Sequence, residues 1–145
     1  MKKKRLIIGI IALTAFVLVA AGCSTAGSDS ASAGKTIASG PAGNNLTATL
    51  SNADGTLKKG NQEFTLTFTD ASGKTVDVGS VALNYRMAAM GSMSEMNSGA
   101  TFTTTNTPGV YKGKADLEMG GEWKAMITYE GPAGKGAFSI PVVAK

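Results

Sequence analysis

The chain of 145 residues contains no histidine and a single cysteine. Without imidazole there is no histidine general base and no histidine-ligated zinc or Cu(II) centre. With one cysteine, Cys23, there is no internal disulfide. No pair of acidic residues stands at a spacing that marks a catalytic dyad, and none of the 19 glycines forms a phosphate-cradling loop between a strand and a helix. With the usual catalytic players missing, the expected protein is not an enzyme. Long helical periodicity is missing too, which directs the fold towards strands.

What is present begins at the N-terminus. Lys2, Lys3, Lys4 and Arg5 precede the apolar run "LIIGIIALTAFVLVAAG", which ends at Cys23. A basic segment, an apolar segment and small residues before a cleavage point make a secretory signal over residues 1–22. The run falls short of the about 20 apolar residues that a transmembrane helix needs. The ending "VAAGC" resembles the lipobox of bacterial lipoproteins, which implies that Cys23 becomes the diacylated first residue after cleavage. The expected location is therefore extracytoplasmic, with Cys23 holding the protein to a bacterial membrane (the cell membrane, or the outer membrane facing the periplasm in a diderm host). Acyl chains contribute about 0.8 kcal/mol per buried methylene, so multiple acylation anchors firmly. Four of the 14 cations belong to the signal, leaving 10 against 10 acidic residues. The basic pI of the whole chain is thus a property of the targeting segment, and no nucleic-acid partner is expected.

Residues 23–45 hold the lipid-accepting cysteine and then Ser, Ala and Gly with almost no large apolar side chain, and are expected to form a flexible tether. Residues 46–145 suffice for one domain. Their apolar residues alternate: Phe64, Leu66 and Phe68; Val81, Leu83, Tyr85 and Met87; Trp123, Ala125, Ile127 and Tyr129. Turn residues such as "NADG", "DASG", "NTPG" and "EGPAGKG" separate the runs. About seven short strands at roughly 8–12 residue spacing imply an all-β, immunoglobulin-like antiparallel β-sandwich. Trp123 is expected at its centre, and Pro141 marks an edge strand, because proline cannot donate to a ladder.

The segment "YRMAAMGSMSEMNSG" places Met87, Met90, Met93 and Met96 at every third position. Thioethers are soft neutral donors that suit Cu(I) and offer little to zinc, magnesium or calcium. Met87 continues the inward series of its strand and is assigned to the core first, to a ligand set only second. Met90, Met93 and Met96, separated by glycine, serines and a glutamate, read as a loop and are the candidate ligands. Met119, in the turn "EMGG", is a fourth. The alternative is a non-metal contact surface, a role methionine also fills well. Arg86 and Glu95 flank the segment and are expected to pair across it.

The patterns "YRMAAMGSMSEM", "TNTPGVYKGKADLEMGGEWKAMITYEG" and "FSIPV" together resemble the YtkA-like/FixH-like domains of bacterial envelope proteins. The resemblance covers about the last 80 residues and is most specific at "GVYKG" (Gly109 to Gly113) and "EMGGEW" (Glu118 to Trp123). It implies a small β-sandwich and an accessory role in copper handling, with envelope metal-transport or oxidase-assembly proteins as partners. Loops of that family often carry prolines and a histidine; this loop has neither, which removes a Cu(II)-type site.

Overall fold

The computed structural model describes residues 34–145. The predicted signal peptide, Cys23 and the first part of the predicted tether lie outside the described residues. Alternation of apolar and polar side chains produces nine strands: β1 (Lys35–Gly43), β2 (Leu46–Asn52), β3 (Gly60–Thr69), β4 (Ser80–Met87), β5 (Met96–Gly99), β6 (Thr101–Thr104), β7 (Val110–Leu117), β8 (Gly121–Gly131) and β9 (Gly134–Ala144). They form two antiparallel sheets, ordered β1-β2-β3-β7-β6 and β5-β4-β8-β9. Apart from β1, the first follows the A-B-E-D order and the second the C′-C-F-G order of an immunoglobulin sandwich. β1 is an additional edge strand. Two of the nine, β1 and β5, are absent from the runs that the sequence marks as strands.

β1 corrects the tether. Lys35–Gly43 pairs antiparallel with β2 from Lys35 against Asn52 to Gly43 against Leu46. Small residues here serve close packing: a Cβ on Gly40 would stand 3.3 Å from Ile140 Cγ1 of β9. Asn44 and Asn45 both have positive φ, 52° and 59°, as the central residues of a type I′ hairpin turn must. The Asn44 amide then donates to the Tyr129 hydroxyl, and that hydroxyl donates to the Ala42 carbonyl at 3.1 Å. These bonds fasten the β1–β2 hairpin to the opposite sheet.

The inward faces meet in one core. Phe68 makes edge-on contacts with Tyr111, Tyr129 and Phe138, while Phe64 meets Tyr85 and Phe102 in the same manner. Edge-to-face geometry sets the positive ring edge against a negative face. Gly113, last glycine of "GVYKG", lies under two of these rings; a Cβ there would come within 2.5 Å of Phe64 and 2.9 Å of Phe102. Phe68 thus holds the centre expected of Trp123. Trp123 is buried near one end, where its Nε1–H donates to the Met119 carbonyl at 3.1 Å. Pro141 lies on β9, an edge of its sheet, as expected.

The registers define two ends. One gathers the start of β1, the loop from Asn52 to Gly60, the end of β4, the β7–β8 turn and the end of β9. The other gathers the β1–β2, β3–β4, β6–β7 and β8–β9 connections. All the candidate ligands belong to the first end.

Candidate metal centre

The segment after β4 folds as a tight hairpin. Met90 and Met93 exchange both backbone hydrogen bonds, at 3.1 and 2.9 Å, around the two-residue turn Gly91-Ser92. Positive φ falls on Gly91 alone, at 59°, as in a type II′ turn with glycine first. Directly paired residues of a hairpin project from the same face, so Met90 and Met93 stand side by side. They are 67% and 39% exposed, among the large apolar residues left facing solvent.

Two other segments complete the wall. Met87 ends β4 with 6% exposure, in the core. Met119 is half-buried in the β7–β8 turn, its carbonyl fixed by Trp123. Together Met87, Met90, Met93 and Met119 line one cavity of about 300 Å³, with Ala88, Ser94, Gly120, Gly121 and Glu122. A Cβ on Gly121 would stand 3.0 Å from the Met87 methyl, so glycine lets that side chain lie against the turn.

Met96 does not line this cavity. It is the first residue of β5, paired with Met87 across the ladder, half-buried and packed against the core. Its predicted position in a loop is corrected: the ladder from Met87–Met96 to Asn84–Gly99 captures it into the sheet. Met126 faces outward on β8, 41% exposed, away from the cavity. The structure therefore brings together three predicted ligands, replaces Met96 by Met87, and leaves no sulfur of Met96 or Met126 in the wall. Two sequence signals point to this arrangement: the Gly-Ser dipeptide between identical residues, and the inward phase of β4 ending on Met87.

An ion pair braces the hairpin. The Arg86 guanidinium donates to Glu95 at 2.5 Å, as expected from their positions, and Asn97 donates to the other carboxylate oxygen at 3.3 Å. Hydrogen bonds from Arg86 and then Asn97 hold the Glu95 carboxyl below its ordinary range. Among the described residues no group of three or more His, Cys, Asp and Glu gathers at one point. The potential donors lining the cavity are therefore chiefly neutral thioethers, with Glu122 as its one carboxylate. Such a set favours a soft monovalent ion over hard divalent ones.

No curated protein and no solved structure matches the chain significantly. A family model does match: residues 42–128 fit that of the YtkA-like family. The match runs from the end of β1 into β8 and includes both the methionine hairpin and the Met119 turn. By that match, over more than half of its length, the chain belongs to the YtkA-like family.

Proposed function

We propose that the protein is a non-catalytic, lipid-anchored accessory protein of the bacterial envelope that holds Cu(I) in its methionine cavity. The observation that carries this reading is the meeting of Met87, Met90, Met93 and Met119, from three separate segments, around one cavity. Met90, Met93 and Met119 are the principal ligands, and Met87 backs them from the core. With no thiolate or imidazole to tighten the site, the ion is held weakly and exchanges, which suits a carrier or buffer. Its partners are then envelope metal-transport or oxidase-assembly proteins. An extracytoplasmic position follows from the signal and lipobox at Cys23.

The test is an anaerobic Cu(I) competition against a chromogenic chelator. Replacing Met90, Met93 and Met119 together by Ile is expected to weaken retention by about tenfold or more, the equivalent of about 1.4 kcal/mol. Met96→Ile should leave it unchanged. If the triple variant, checked to be folded by its thermal melt, competes as well as the parent, the metal reading fails. A second reading rests on the two-thirds exposure of Met90 at the hairpin. On that reading the hairpin is a purely protein-contacting surface, as methionine-rich surfaces are elsewhere. It would stand if Cu(I) competition were unaffected by the triple replacement.

A further inference from the structure

Four exposed lysines gather at one corner of the end that carries the methionine cavity. Lys35 opens β1 opposite Asn52, and its side chain lies over Gly55, where a Cβ would stand 2.9 Å from Lys35 Cβ. Lys58 and Lys59 follow in the same loop. The Lys59 amide donates to the Lys145 carbonyl at 3.0 Å, and the Lys145 amide donates to the Leu57 carbonyl at 2.9 Å. Asp54 is ion-paired with Lys58 at 2.5 Å; that hydrogen bond and charge, with a smaller contribution from Lys35, hold its carboxyl low. Lys35, Lys59 and Lys145 have no ion pair among the described residues. Outside the basic N-terminal segment the chain balances ten cations against ten acids, so four lysines at one corner are a concentration of charge, not a general excess.

The corner adjoins the cavity. Gly120, in the cavity wall, lies against the end of β9: a Cβ on it would stand 3.2 Å from the Ala144 carbonyl oxygen and 3.6 Å from the Lys145 carbonyl carbon. The chain also enters the sandwich here, because Gly34 leads directly into Lys35. Eleven residues, 24–34, separate Cys23 from Lys35. At full extension such a length spans at most about 40 Å.

We propose that this end of the sandwich seats on the anionic surface of the bilayer that holds Cys23. The lysine corner lies against headgroup phosphates, and the methionine cavity is held at the membrane face. The proposal rests on the lipid-anchor reading and is independent of whether the cavity binds an ion. Ammonium groups are drawn to anionic leaflets over about a Debye length, about 8 Å at physiological salt. A lipid anchor joined to a basic patch is a two-signal attachment that fixes orientation as well as residence. A cavity so placed exchanges its contents at the membrane, not in the aqueous space beyond the far end of the domain.

The experiment uses the full lipidated chain in phosphatidylcholine vesicles with and without phosphatidylglycerol. With Cys23 occupied by lipid, Ser92→Cys and Ser72→Cys each give one thiol for a fluorophore, at the cavity end and the far end. Flotation with vesicles is measured first, then quenching by headgroup-labelled lipid. The expected result is at least twofold stronger quenching at residue 92 than at residue 72 on phosphatidylglycerol vesicles. That difference should shrink at high salt and in the Lys35→Glu, Lys59→Glu, Lys145→Glu variant. Equal quenching at both positions with intact flotation overturns the proposal and leaves the anchor standing. Failure to float overturns both. A preference seen in native membrane vesicles and absent from pure lipid overturns lipid seating in favour of a membrane protein.

Discussion

Two tyrosines in the core illustrate how differently one hydroxyl can contribute. The Tyr129 hydroxyl donates to Ala42 and accepts from Asn44, so its polar atom joins the β1–β2 hairpin to the other sheet. Tyr85 is fully buried, its ring set edge-on to Phe64 at 5.9 Å, and its hydroxyl has no hydrogen-bond partner among the described residues. Burial alone pushes the Tyr85 phenol far above its ordinary range, because an ionised oxygen there would have no water around it. A buried hydroxyl without a partner loses its hydration and regains nothing, whereas a satisfied one contributes about 0.5–1.5 kcal/mol. Tyr85→Phe is therefore expected to be neutral or stabilising by up to about 1 kcal/mol, and Tyr129→Phe to destabilise by about 1 kcal/mol. Chemical denaturation of both variants checks the pair. A loss at Tyr85→Phe equal to that at Tyr129→Phe would contradict the bonding described.

The methionine hairpin is an element held from two sides, by its own turn and by the Arg86–Glu95 pair below it. Glu95 is depressed below its ordinary range and Arg86 is raised, so each favours the charged form of the other. The sign follows directly: bracing by a depressed carboxyl is present above the ordinary glutamate range and is lost as pH falls through the folded value. Protection of the Met90 and Met93 amides against hydrogen exchange, corrected for intrinsic rate, should fall on acidification below that range. In Glu95→Gln the fall should vanish and the lower protection should persist at neutral pH; a parent-like acid response in that variant would sink this account. The element also shows what a sequence conveys and what it hides. Period-two alternation reveals β2, β3, β4, β7, β8 and β9, because each buries one face. β5 and β1 are hidden because Asn97, Ser98 and Gly99, like the Ser/Ala/Gly of β1, contribute ladder bonds without large apolar groups. Their signals lie in the connections instead, in Gly91 of the Gly91-Ser92 turn and in Asn44-Asn45, whose positive φ values only a few residue types accept. Glycine, serines and a glutamate between the methionines read as a loop and carry Met96 with them, whereas the ladder sets Met96 opposite Met87.

For the whole molecule, β1 decides how the domain is closed and how it is held. It covers the β2 edge of one sheet, lies beside β9 at the edge of the other, and is the first strand of the described residues. Beneath it Ala42 is buried, Gly40 touches Ile140, and Ile37 is packed against the core. The family match begins only at residue 42, so most of β1 lies outside the matched span although it is part of this sandwich. A chain that starts at Asn44 should therefore still fold cooperatively on its eight remaining strands, with β2 left as an open edge. It should also melt several degrees lower, since loss of even about 1 kcal/mol shifts the midpoint by roughly 4–8 °C in a domain of this size. The loss should be local in amide exchange: β2 amides that donate to β1, and the β9 segment around Ile140, lose protection first. The β3–β7 ladder, and the β4–β8 ladder away from the Tyr129 hydroxyl that bonds Ala42, should keep theirs. An unchanged melt would mean that β1 is an ornament and that residues 35–43 act as tether after all. A lowered melt makes it a structural strand, and under the proposed lipid anchoring at Cys23 the stretch left between anchor and sandwich is then eleven residues, short enough on that proposal to keep the end bearing the methionines close to the membrane.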